Sequence, residues 1–326
     1  MKKTIVTHMK EGILMKAEVS LEKKQVAQPL TVGSGLYNEK AGMLYGLLGV
    51  CSFSLTLPAT KVALTALTPM TAGLGRALVA AILAALVLLI RRVPFPSWKE
   101  TKQLILVAGG VVVGFPFFSA WAMERVPATH GAIIIALLPL ATAGAATFFA
   151  GERPARMYWV SSGVGCLAIL GYAISSRFGA LHWADLALLA AVISAAIGYA
   201  VGGQLARTMG GWQVISWSLV FSFPFLVIPI AGPLLSQLQH ASGTAWLGFG
   251  YVSVISQFLG FFAWYHGLAI GGVARVGQTQ YLQPFLTILA SWLLLSESVT
   301  LGAILAALIV VASVAKGRTA VVKQKA

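Results

Sequence analysis

The sequence predicts an all-α integral membrane protein with ten transmembrane helices arranged as a 5+5 inverted repeat. Three observations lead there. Hydrophobic residues make up 58% of the 326-residue chain and charged residues only 10%, where a soluble domain carries about 25% charge. The apolar residues gather in runs of about 20, the length an α-helix needs to cross a ~30 Å hydrocarbon core. Two of those runs also resemble each other. THGAIIIALLPLATAGAATFFAGE from Thr129 and ARVGQTQYLQPFLTILASWLLLSE from Ala274 align Pro139 with Pro284 and Glu152 with Glu297, both 145 positions apart.

Residues 1–40 are polar, hold seven lysines and lack a long apolar core, so they read as a cytoplasmic tail rather than a secretory signal. Span one, 42–62, places Cys51, Ser54, Pro58 and Lys61 on one helical face. Span two, 69–90, has Arg76 early and ends on Arg91 and Arg92. Spans three and four, 104–123 and 128–149, meet at a turn flanked by Ser119, Trp121 and His130. Span five, 157–175, closes the first half. Spans six and seven, 184–206 and 213–235, carry Tyr199 and Gln204, then Ser216 and Trp217. Span eight, 245–268, sets Ser253, Gln257, Gly260 and Trp264 at helical spacing. Span nine, 273–295, is the second matched segment. Span ten, 299–315, carries Ala303 and Ala307, small residues suited to helix packing or a homodimer, and a basic tail follows over 316–326. A spanning helix satisfies its own backbone hydrogen bonds. A barrel would need alternating segments of about 10 residues, a pattern these runs lack.

The charges orient the spans. With the N-terminus inside, nineteen of the 23 lysines and arginines fall on cytoplasmic segments, leaving Lys61, Arg76, Arg125 and Arg177 elsewhere. This bias puts both termini in the cytoplasm. Pro139 then lies in span four and Pro284 in span nine, so the repeat unit is five spans. An odd unit repeated in tandem sits in the membrane with opposite topology, the design that lets transporters expose a midplane site to alternate sides.

Segments such as AIIIALLPLATAGAATFFAGERP, and PMTAGLGRALVAAILAALVLLIRR in span two, resemble the EamA branch of the drug/metabolite transporter superfamily. The resemblance covers about residues 41 to 315. It implies two five-helix repeats, 41–175 and 184–315, forming a basket-like bundle around a central cavity with the fifth and tenth spans peripheral. It also implies a carrier of the cytoplasmic membrane, often an exporter of amino acids or other small metabolites. Span nine departs from the family's plain apolar run with Gln278, Thr279, Gln280, Tyr281 and Gln283.

That polar cluster is the leading candidate for substrate contact. At 100° per residue Arg275, Gln278, Thr279 and Gln283 share one stripe, with Gln280 and Tyr281 off it. Amides in hydrocarbon face a partner or a wet cavity, and Pro284 frees a carbonyl in the preceding turn. The bland reading is interhelical glue. In the first half Ile133, Ile134 and Leu138 stand where Gln278, Thr279 and Gln283 do, and only the pair His130 and Arg275 is polar in both. The substrate-binding candidates are therefore Gln283, Gln278, Thr279, Gln257, Tyr281, Ser54, Trp121, Tyr199, His130 and Trp264. For Trp264 the alternative is an interfacial aromatic belt. Lys61 and Arg76 read as anion-attracting, or as basic side chains that snorkel or pair. Pro139, Pro284, Glu152 and Glu297 read as structural, each glutamate capping the helix that follows it.

Several functions are excluded. The chain has no P-loop, HExxH or nucleophile elbow, no metal-ligand spacing around Cys51 and Cys166, and no basic stripe interleaved with aromatics for nucleic acid. The expectation is a secondary carrier without cofactor, working by alternating access in the lipid bilayer on a small polar or amphipathic metabolite. Amino-acid export leads. A carrier of anions such as sugar phosphates, using Lys61 and Arg76, is the first alternative, and a non-transporting assembly partner the second. No acid lies mid-span, which points to facilitated diffusion or exchange, or to coupling through a histidine.

Overall fold

The computed structural model describes residues 38–153 and 183–318, scattered positions between 156 and 171, and residues 323–324. Its helices are α1 (Glu39–Ala63), α2 (Pro69–Ile90), α3 (Trp98–Met123), α4 (Ala128–Phe149), α5 (Trp183–Met209), α6 (Gly211–Gln239), α7 (Gly243–Gly271), α8 (273–295) and α9 (Leu301–Arg318). The first seven are long and apolar enough to cross a membrane. They occupy predicted spans one to four and six to eight, and α8 and α9 the last two. Predicted span five and the tails, 1–40 and 316–326, lie largely outside the described residues. The one strand pairing among the described residues is two residues long, Glu152–Arg153 against Lys323–Gln324.

Local sequence explains where the helices begin. Thr68 accepts from the Thr71 N–H with Pro69 in the first turn, and Ser97 and Glu100 form a reciprocal capping box at the start of α3. Gly272, with φ 86°, makes the tight turn from α7 into α8.

Five of the described helices are interrupted, and each interruption has a cause or a counterpart. In α1, Pro58 has no N–H, so the Ser54 carbonyl one turn earlier lacks its helical donor. The Thr287 hydroxyl of α8 donates to that carbonyl at 2.7 Å. α4 breaks after Ile135 and restarts at Leu138 with Pro139 in its first turn. α8 passes through a 3-10 turn, Gln278–Leu282, and restarts at Gln283 with Pro284 in its first turn. The proline thus occupies the one position of a helix that tolerates it, at the same place in both matched segments. In α3 and α7 the chain widens into π turns, Ala108–Gly114 and Tyr251–Leu259, which overlap at the 145-residue offset.

Each of the four described helices of the first half packs on one of the second: α1 on α7, α2 on α6, α3 on α5, and α4 on both α5 and α8. Small residues set the closest approaches, as expected where lipid supplies no hydrophobic drive between helices. A Cβ on Gly42 would lie 2.6 Å from the Gly271 Cα, and one on Gly202 would lie 2.4 Å from the Tyr265 ring. The Tyr265 hydroxyl instead donates to the Gly198 carbonyl at 3.0 Å.

Candidate functional site

Six helices, α1, α2, α3, α5, α7 and α8, enclose a cavity of about 20 Å³, room for one water molecule. Its polar groups are Thr56 from α1, Arg76 from α2, Tyr199 from α5, Ser256 and Gln257 from α7, and Gln283 from α8. Phe53, Phe115 and Phe261 supply apolar faces. The Thr56 and Ser256 hydroxyls bond to each other at 2.7 Å. The Gln257 amide donates to the Val111 carbonyl at 3.0 Å, which ties the two π turns together across the cavity. A π turn leaves adjacent residues and free carbonyls where an α-helix would not. That is why both Ser256 and Gln257 reach the site, although they are neighbours in sequence.

Arg76 dominates the electrostatics. It is only 1% exposed, and its Nε has no hydrogen-bond partner. The Phe115 ring lies 6.0 Å from the guanidinium carbon. No acidic side chain lines the cavity, and among the described residues none forms an ion pair with Arg76. Gln283 Oε1, also buried, accepts no hydrogen bond. The site therefore holds one buried cation and one buried acceptor still to be satisfied.

Of the ten substrate-binding candidates, the structure brings Gln283, Gln257 and Tyr199 to this cavity, together with Arg76. The others lie apart from it. Trp264 packs edge-on behind Tyr199 at 5.1 Å, one layer out. The Ser54 hydroxyl donates to its own helix at Val50, and that of Thr279 to Val276. The 3-10 turn breaks the 100° stripe: Gln278 is half-buried, whereas Gln280, expected off the stripe, is fully buried with both amide atoms unbonded. Tyr281 is buried beside it. Trp121 stacks under the Arg125 guanidinium at 3.8 Å. Lys61 donates to the Val126 carbonyl at 2.7 Å and the Met123 carbonyl at 3.3 Å, fixing the turn between α3 and α4. His130 bonds Asp185 of α5 at 2.7 Å, both buried.

Glu152 and Glu297 differ from expectation in their targets. Both reach a helix of the other half. Glu297 accepts from the Ala128 and Thr129 N–H groups, both at 2.9 Å, at the start of α4. Glu152 accepts from Val273 and Ala274, at 3.1 and 2.9 Å, at the start of α8, with Arg207 at 3.8 Å. Each carboxylate thus neutralises a helix N-terminus belonging to the other matched segment. The interruptions of α4 and α8 leave those ends as separate short helices that reach across to the opposite half.

Sequence reasoning missed Thr56, Ser256 and the three phenylalanines of the cavity. Ser256 adjoins Gln257 in sequence, and Thr56 lies two residues before Pro58, but neither shows a periodic signal. A second, larger space of about 790 Å³ opens beside the cavity, lined by Tyr45, Arg91, Trp212, Phe262 and His266 among others. α7 borders both, with Gln257 and Phe261 facing the cavity and Leu259 and Phe262 facing the cleft.

The profile of the EamA-like transporter family matches the chain twice, over residues 40–174 and 182–315. The chain is 41% identical over 259 residues to a protein named "Uncharacterized transporter YdeK" from Bacillus subtilis (strain 168), a match covering 79% of this chain and 90% of that one. A crystal structure with 17% identity covers 86% of this chain and 98% of its own, with a TM-score of 0.61, and so shares the fold. The chain belongs to the EamA-like transporter family, with that family's two-repeat architecture, and is a multi-pass transporter rather than an enzyme.

Proposed function

We propose that this member of the EamA-like transporter family carries small carboxylate-bearing metabolites, amino acids foremost, across the cytoplasmic membrane by alternating access. The observation that carries the substrate class is Arg76. A buried charge left unpaired costs several kcal/mol, and the guanidinium fork matches a carboxylate. Gln283 Oε1 is a ready acceptor for an ammonium group. Phe53, Phe261 and Tyr199 offer an apolar side chain three aromatic faces. A zwitterion with an apolar tail uses all of these. A strictly anionic substrate such as a sugar phosphate draws less support, because Lys61 is engaged with backbone carbonyls and Arg76 stands alone.

The inverted 5+5 layout is part of this reading. Pairing the first span with the sixth, the second with the seventh and so on maps the α1–α7 contact onto the α5–α3 contact, and maps the α2–α6 and α4–α8 contacts onto themselves. Two-fold pseudo-symmetry of that kind supports a rocking transporter. Under the orientation expected from the basic residues, the starts of α2, α4 and α5 face outward. The cleft beside Arg91 and His266 faces the cytoplasm, as suits an exporter loading from within. The cavity is far smaller than a metabolite, so loading requires the halves to part.

Counterflow in proteoliposomes, screened over amino acids, sugars and organic acids, tests the proposal. Amino-acid counterflow is expected, and Arg76→Gln should abolish it while leaving folded yield measurable. Undiminished amino-acid flux in Arg76→Gln overturns the proposal.

A further inference from the structure

We infer that the large cleft between α2 and α7 binds one anionic phospholipid, with its phosphate on Arg91 and one acyl chain along the apolar depth of the cleft. Such a site goes beyond the transport reading above and needs only a chain that spans the membrane.

Four helices build the cleft, whose volume of about 790 Å³ falls within the ~300–1,000 Å³ range of pockets that bind small molecules. α2 contributes Val87 and Arg91, α7 contributes Leu259, Phe262 and His266, and α1 and the first turn of α6 close the remaining sides. The two long walls grade in the same direction. Along α2, Arg91 lies one turn, about 6 Å, beyond Val87. Along α7, His266 lies about 10 Å beyond Leu259. Polar side chains thus stand toward the helix ends and apolar ones deeper in two span-length helices. Leu259 is 45% exposed, so the cleft stays open at that depth. Water against such apolar walls is unfavourable, and an acyl chain replaces it.

The mouth of the cleft is basic and lacks a counter-charge. Among the described residues the Arg91 side chain makes no ion pair or hydrogen bond, and no acid lines the cleft. The described acids are engaged elsewhere. Glu39 pairs with Arg275, Glu124 with Arg125 and Asp185 with His130. Glu100 bonds Ser97, and Glu152 and Glu297 hold helix starts. The His266 imidazole, edge-on to the Tyr45 ring at 4.6 Å, adds a second polar group at the mouth. A guanidinium fork matches a phosphate. Under the orientation expected from the basic residues, this mouth lies at the cytoplasmic leaflet, where basic pockets between helices take anionic headgroups. A phospholipid uses both ends of the cleft at once, whereas a soluble anion would use only the mouth.

α7 stands between the cleft and the cavity, with Gln257 and Phe261 on its other side, so a lipid in the cleft does not occupy the cavity. α2 belongs to the segment 40–174 and α7 to 182–315. A molecule held between them favours the conformation in which the cleft is open. The lipid is then a wedge between the two halves at this end.

Native mass spectrometry of the full chain tests the inference, with phosphatidylglycerol and phosphatidylcholine of identical acyl chains supplied at equal concentration. The first lipid bound should be phosphatidylglycerol by about fivefold, the preference one arginine gives near a membrane surface. Arg91→Gln should bring the two lipids to near parity. Lys99→Gln, which removes an exposed charge outside the cleft, should leave the preference unchanged. Ala263→Trp, which fills the apolar wall, should lower occupancy by the first lipid severalfold at unchanged charge. A large excess of sn-glycerol 3-phosphate should not displace the lipid. Equal retention of both lipids by the unmodified protein means annular lipid only and overturns the inference. So does a preference that survives Arg91→Gln, falls as far in Lys99→Gln, or an occupancy that ignores Ala263→Trp. Displacement by sn-glycerol 3-phosphate also overturns it, and gives the mouth to a soluble phosphate ligand instead.

Discussion

Under the proposed orientation and mechanism, replacing Glu152 with glutamine should open the molecule toward the cytoplasm. The carboxylate is 3% exposed and accepts two N–H groups at the start of α8, from Val273 at 3.1 Å and Ala274 at 2.9 Å. Glutamine keeps one acceptor oxygen, loses the charge, and turns an NH₂ toward the second N–H. One hydrogen bond to a charged group, about 1.5–3 kcal/mol, is lost, and a buried donor is left unsatisfied at about 1–3 kcal/mol. A total of roughly 3 kcal/mol shifts the latched-to-open ratio about 100-fold. Glu297→Gln should act in the same way at the opposite end, by less, because Glu297 is only partly buried. The assay is a cysteine at Ser256, in the cavity wall, probed with a membrane-impermeant thiol reagent on right-side-out and inside-out vesicles. Glu152→Gln should raise labelling from the cytoplasmic side, and Glu297→Gln from the outer side. If both variants raise labelling from the same side, or neither changes it while transport continues, the two carboxylates are not opposed latches.

Other outcomes follow from single contacts. Under the proposed function Gln283→Leu should cut counterflow about tenfold or more without reducing folded yield, since Gln283 Oε1 accepts no hydrogen bond from the fold. Thr287→Val should lower the melting temperature in detergent by stranding the Ser54 carbonyl, at about 1–3 kcal/mol. Adding Pro58→Ala, which restores an N–H for that carbonyl, should recover much of the loss, and an additive double mutant would refute the pairing. Gly42→Ala forces a Cβ to within 2.6 Å of Gly271. It should destabilise the α1–α7 contact by about 1–3 kcal/mol, seen as lower melting temperature and yield.

The frame of the molecule was legible because it rests on local rules. Apolar run length announced the spans, and the aligned Pro139 and Pro284 announced two copies. The prolines stand in the first turns of restarted helices. What the sequence concealed was tertiary. Glu152 and Glu297 carry the same local signature as an ordinary cap, and only the packed chain shows that they reach the other half. The helical stripe drawn through Gln278, Thr279 and Gln283 assumed 3.6 residues per turn, and the 3-10 turn changes which of them face inward. In α7 the π turn likewise brings Ser256 in beside Gln257. Neither departure from the α ladder has a compositional mark. Lys61 and Arg76 looked equivalent as lone bases, but burial separates them.

The two halves are alike where the proposed mechanism has them move and unlike where it has them bind. Prolines, carboxylate latches and π turns recur at the 145-residue offset. The polar groups of the cavity do not: at that offset Arg76 meets Phe221, Ser256 meets Val111, Gln257 meets Val112, and Gln283 meets Leu138. Alternating access requires the former, because each half must be able to adopt the packing the other now shows, at nearly equal free energy. It does not require the latter. Under the proposed function one small asymmetric molecule would sit once on the pseudo-axis, and symmetric duplication of Arg76 would bury a second uncompensated charge at a cost of several kcal/mol. Relatives of this chain should therefore diverge in substrate through substitutions at Arg76, Gln257 and Gln283 while their latches stay interchangeable. Exchanging residues 128–152 for the aligned stretch of a relative with another substrate should preserve the substrate choice, and a switch in substrate with that exchange would refute the division.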